Sequence, residues 1–188
     1  TGAELLARIL TERRKLWEQT PAGGSRPTTG RAEDVGPVPS RGVRARGKYK
    51  EPAAPDTANL PSLPEGWTWA TVEQLLTEPM CNGISIKGSN NPPGIRTLRL
   101  SAMSNSGFDY ADARYLPLSE SDVDDLWIQP KDFFVSRGNG SLHLVGRGTF
   151  AQPGPVPTIF PDTMIRLRLA QPVRTARWIP SIWPSYFI

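Results

Sequence analysis

Apolar residues recur at helical spacing at the very start of this chain. Leu5, Leu6, Ile9, Leu10, Leu16 and Trp17 make one stripe within residues 1–19, the period of an amphipathic helix. Leu6, Ile9, Arg13 and Leu16 fall at three-four-three spacing, which suits a seam against another helix. The plainer reading is an amphipathic helix lying on a globular core. Thr1 and Glu4 have the spacing of a capping box, and Glu12, Arg13, Arg14 and Lys15 make the polar face. An isolated helix of this length is marginal in water. Leu6, Ile9, Leu16 and Trp17 are therefore expected to pack against a helix that this chain does not itself supply.

From residue 20 to residue 60 the pattern stops. Proline and glycine recur, and large apolar residues are almost absent. Such a stretch cannot bury enough surface to offset its conformational entropy, so it reads as a disordered basic linker. Its run RGVRARGKYK, Arg41 to Lys50, holds five basic residues and no acid. That run suits phosphate contact, with a merely solvated linker as the alternative.

Order returns over residues 61–170. LPEGWTWATVEQLL carries a Pro-Glu-Gly turn, then Trp67 and Trp69 two apart, expected to anchor the segment in the core. Val72, Leu75 and Leu76 predict a helix of two turns stopped by Pro79. Beyond that the period is two. Ile95–Leu100 alternates, Phe133–Val135 is a strand, and Ser141–Arg147 alternates again. Thr163–Ala170 is the clearest strand, with Ile165, Leu167 and Leu169 inward and Arg166 and Arg168 outward. Ser119 to Leu126 predicts a short acidic helix, and Gly/Asn/Pro/Ser loops join the strands.

Composition sharpens this picture. The 188 residues are 38% hydrophobic, with 20 prolines and 17 glycines, too little apolar matter for a core throughout. The net charge of +4 is unevenly spread: residues 61–125 hold four Lys/Arg against nine acids, and residues 126–188 hold seven against two. A basic C-terminal surface is expected. A lone cysteine, Cys81, excludes intrachain disulfides and multi-cysteine zinc modules. No apolar run is long enough for a transmembrane helix, and no signal peptide opens the chain. With one free thiol, a cytoplasmic setting is expected. The first residue, Thr1, suits a fragment.

Catalytic readings fail on content. A nucleophilic triad or dyad would have to use the one histidine, His143. Pro161–Asp162 has no acid after it to complete a restriction-nuclease metal site. Gly138, Gly140 and Gly146 do not space as a dinucleotide fingerprint, and no P-loop occurs. Asn91–Pro92–Pro93–Gly94 is like the catalytic loop of DNA amino-methyltransferases, but Gly94 stands where the stacking aromatic is needed.

Four segments in order resemble the target-recognition domain of type I restriction-modification specificity subunits: LPEGWTWATVEQL, then Gly83 to Phe108, then Ile128 to Phe150, then Ile159 to Leu169. Leu5 to Glu18 resembles the end of the central conserved helix that joins two such domains. Lys131 stands where family members often have glycine. The resemblance implies an α+β fold: a small β-rich recognition domain with short helices at 61–170, preceded by a long linker at 20–60 and an isolated N-terminal helix at 1–19. The tail 171–188 is atypical. It carries aromatics and prolines where the family continues with a strand and helices, which implies a truncated or frame-shifted product.

The resemblance further implies a non-catalytic chain that needs no cofactor and binds double-stranded DNA sequence-specifically. Its partners would be methylation subunits, which use S-adenosylmethionine, and motor subunits, which use ATP; no membrane is involved. The alternative is an interaction fragment that docks methylation subunits without binding DNA. Two loops mix glycine with short polar and cationic residues, the types that read base edges or hold phosphates. They offer Lys87, Ser89, Asn90 and Asn91 in one, and Arg137, Asn139, Ser141, His143 and Arg147 in the other. Arg137 has the reach for guanine and Asn139 for adenine, while Lys87 and Arg147 look like phosphate positioners. Ordinary turns with solvated charges are the competing reading.

Overall fold

The computed structural model describes residues 1–19, 48–137 and 145–175. Most of the stretch read as a linker, and Asn139, Ser141, His143 and residues 176–188, lie outside the described residues.

The first element is α1, Gly2–Gln19. Its start is the capping box that Thr1 and Glu4 predict: the Glu4 amide donates to Thr1 Oγ1 at 3.3 Å, and the Thr1 nitrogen donates to the Glu4 carboxylate at 2.7 Å. The expected isolation of this helix is overturned. Ile9 is 2% exposed and sits in a cluster with Leu76, Phe133, Leu167, Leu169, Ala170 and Val173, all from the chain's own body. Arg13, assigned to the polar face, is buried beside it. Its guanidinium donates to the carbonyls of Glu73, which also accepts the Leu76 amide, and Leu76. Leu6 and Trp17 are half-buried, and Leu16 remains exposed. Trp17 meets the edge of Tyr49 at 5.3 Å, while Arg14 stacks on Tyr49 and pairs with Glu51. Residues 48–53, the end of the stretch read as linker, thus lie along α1, and Thr71 Oγ1 donates to the Ala53 carbonyl at 3.0 Å.

Among the described residues the body holds eight short strands: β1 Cys81–Asn82, β2 Ile95–Leu98, β3 Met103–Ser104, β4 Gly107–Phe108, β5 Ala113–Leu116, β6 Phe133–Ser136, β7 Gly148–Phe150 and β8 Met164–Leu167. A five-residue helix, α2 Gln171–Thr175, follows. One antiparallel sheet has the order β1-β8-β6-β7; β2 pairs with β5 and β3 with β4. A bridge between Thr97 and Ile159 joins the second sheet to the segment before β8. The body is α+β, as the sequence implies.

β6 shows how the sequence divides the interior. Successive side chains on a strand face opposite sides, so Phe134 enters a core with Leu98, Leu116, Leu126, Ile159, Phe160 and Met164, while Phe133 enters the cluster that receives Ile9. Both phenylalanines are essentially unexposed. The central sheet is covered on both faces, one of them by α1.

That double cover corrects the reading of β8. Arg166 was expected to point into solvent, yet it is 3% exposed. It donates to the Asp125 carbonyl at 2.8 Å and to Glu78 at 2.9 Å, with its guanidinium 5.5 Å from the Phe160 ring. Arg168 makes a two-pronged contact with the fully buried Asp132, at 2.8 and 2.9 Å, and reaches Glu78 at 3.1 Å. The basic C-terminal surface therefore loses two of its cations to internal pairing.

Three smaller expectations also change. Trp67 is 71% exposed rather than anchored; its turn sits at the surface, where the Gly2 amide meets the Gly66 carbonyl at 2.6 Å. Trp69 is half-buried and donates to the Pro61 carbonyl at 3.3 Å. The two-turn helix shrinks to one 3-10 turn, Val72–Leu75, capped by Thr71 and Gln74. Leu76 leaves that turn extended to bridge Leu169, and this pairing ends the helix before Pro79 does. Ser119–Leu126 holds only the 3-10 turn Glu120–Asp122.

Candidate nucleic-acid interface

The loop from Lys87 to Gly94 is held on the free side of β5. Ser89 and Tyr115 exchange both backbone hydrogen bonds at 2.8 Å, so the loop adds a third strand-like line to the β2–β5 pair. Gly88 lets it come that close. A Cβ there would lie 2.6 Å from the Tyr115 carbonyl oxygen and 2.9 Å from Leu116 Cδ2. Gly94, at φ +135°, closes the loop against the Leu116 carbonyl in a conformation that suits glycine. The Asn91 amide donates to Ser89 Oγ at 3.1 Å, a local turn contact.

Side chains on this frame are exposed at Lys87, Ser89, Asn90 and Asn91. Asn90 has a partner within the chain. Arg99 Nη2 donates to its side-chain oxygen at 2.6 Å. Arg99 also reaches Asp112 at 3.4 Å, and Asp112 in turn accepts from the Ser101 hydroxyl. Sequence reasoning missed Arg99 and Arg114 as neighbours of this loop. Arg114 lies across from Thr97 on β5, and its Cδ would be 3.3 Å from a Cβ on Gly88. The only signal was the alternation of Ile95–Leu100, which contains Arg99 and says nothing about which loop lies beside it.

The second candidate stretch runs from β6 to β7, which pair antiparallel. Arg137 is exposed, and its amide donates to the Thr163 carbonyl at 2.7 Å. Arg147 is half-buried. Its amide donates to Ser136 Oγ at 3.1 Å, and its Nη1 reaches the Met103 carbonyl at 3.4 Å. Gly146 turns the chain at φ +81°. Residues 138–144 lie outside the described residues, and with them Asn139, Ser141 and His143.

The two loops share a neighbour. The segment Arg99–Met103 touches the first through Arg99 and Asn90, and the second through the Met103 carbonyl and Arg147. Among the described residues no group of three or more His, Cys, Asp or Glu side chains is placed to hold a metal ion. The described residues also include no helix long and apolar enough to cross a membrane. The arrangement offers donors: cationic and amide groups on a tied-down frame, suited to acceptors on an anionic polymer.

No family model matches the chain. The type I restriction enzyme EcoKI specificity subunit of Escherichia coli strain K12 is 35% identical over 100 residues, which is 53% of this chain. The chain spans 21% of that relative's length. Over that stretch this chain is similar to a specificity subunit of a type I restriction enzyme, as the order of its motifs implies.

Proposed function

We propose that this chain is a non-catalytic DNA target-recognition piece of a type I restriction-modification system, acting in the cytoplasm alongside methylation and motor subunits. The observation that carries the reading is the 35% identity to a type I specificity subunit. The exposed donor-rich loops are compatible with it. The domain reading that goes with it is a recognition body at 61–170, joined by a linker to the helix at 1–19. In this reading Lys87, Arg137 and Arg147, with the polar residues between and beside them, meet the duplex. The helix serves assembly through its exposed Leu16 rather than through Ile9, which the body already covers.

Binding to random-sequence duplex DNA at low and moderate salt tests the proposal. Affinity that falls steeply with salt is expected, because each neutralised phosphate releases counterions. No binding at any salt would overturn it in favour of a fragment that only docks other subunits.

A further inference from the structure

Arg114 is the anomaly of the candidate interface. Arginine stays charged in proteins and carries five donors, and buried polar groups are almost always paired. Most arginines of the body obey: Arg96 meets the Tyr110 carbonyl, Arg99 meets Asn90 and Asp112, Arg147 meets Met103, and Arg166 and Arg168 meet acids. Arg114 is half-buried and, unlike those arginines, has no hydrogen-bond or ion-pair partner among the described residues; its Nε is shielded from solvent without a hydrogen bond, as are those of Arg96, Arg166 and Arg174. It lies beside Gly88, next to the exposed Lys87.

Asn90 has lost its symmetry as a reader. Arg99 can only donate, so the Asn90 side-chain oxygen must face it, and the amide NH2 is left to face outward. Adenine needs both a donor and an acceptor from asparagine. Here the outward group is a donor, like the exposed Lys87 of the same loop and Arg114, whose Cδ lies beside Gly88. A set made of donors and positive charge matches phosphate oxygens, which only accept.

We propose that Arg114, Lys87 and the Asn90 amide form a phosphate clamp, so that the loop 87–91 fixes register on the DNA backbone and does not read bases. This rests on the DNA-recognition reading above and assigns Arg114 a binding role that no sequence pattern singled out.

The test compares the chain with its Arg114→Gln and Arg114→Lys variants on two duplexes, one of A·T pairs and one of G·C pairs, across a salt series. Thermal melting checks that each variant folds. Removing one phosphate contact should weaken binding several-fold on both duplexes alike and make the slope of log K against log salt shallower by about 1. Arg114→Lys should restore most of that slope, since a lysine still neutralises a phosphate. If Arg114→Gln folds and binds both duplexes as the parent does, or loses affinity for one duplex alone, the clamp is wrong while DNA binding stands. If the parent binds neither duplex at any salt, the DNA-recognition reading itself falls, and the clamp with it.

Discussion

Lys131 has a φ of +71°, the left-handed region where a side chain is disfavoured. Its amide is tied to the Ala151 carbonyl at 2.8 Å, so the turn into β6 keeps that shape despite the cost. Lys131→Gly should raise stability by about 0.5–1 kcal/mol, the relief of strain exceeding the added freedom of the unfolded chain; a urea titration reads it as a higher midpoint. The next residue behaves oppositely. Asp132 is fully buried and accepts from the Gln129 amide at 3.0 Å as well as from Arg168. Asp132→Ala would leave Arg168 half-buried with only the more exposed Glu78 for charge. A loss of about 3–5 kcal/mol is expected, measured by the same titration.

At the scale of elements, α1 decides how the body is closed. Its amphipathic stripe was legible from spacing alone, and so was its cap. What the spacing left open was the partner, and the structure supplies it in β6, β8 and α2 through Ile9. Ile9→Ala should therefore destabilise the chain by about 2–5 kcal/mol, as truncation of a buried aliphatic side chain does. It should also speed amide exchange along residues 5–16. A helix waiting for an outside partner would show neither effect, while Leu16→Ala, at an exposed position, should cost little. The strands were the most readable elements: β6 and β8 fall where Phe133–Val135 and Thr163–Ala170 predict them. The short helices were not, because a single bridge such as Leu76 to Leu169 outweighs the weak preference of two turns.

Across the whole molecule, the helix and the body meet directly, although about forty residues of sequence separate them. The composition of residues 20–47 predicts trypsin cleavage at Arg26, Arg31, Arg41, Arg44 or Arg46. The contacts of Ile9, Arg13, Arg14 and Trp17 add that a chain so cut stays together. Gel filtration of the nicked protein should elute helix and body in one peak and separate them only in denaturant. Separate peaks without denaturant would show the docking to be too weak to hold. The candidate interface is also a property of the whole: the segment Arg99–Met103 links two loops that lie some fifty residues apart in sequence.

The α+β class, the strands β6 and β8, the capped first helix and the likeness to a type I specificity subunit were legible before folding, because each rests on local periodicity or on motif order. Which charges are available is a matter of the fold. Arg13, Arg166 and Arg168 look alike in sequence to Arg114 and Arg137, since alternation places a side chain on a face without telling what covers that face. Glu78 and Asp132 are brought to Arg168, and Glu78 also to Arg166, by strand pairing across 36 to 90 positions. No such acid is brought to Arg114 among the described residues. Which arginine is internal mortar and which faces outward is set by that long-range pairing, and so it became visible only once the chain was folded.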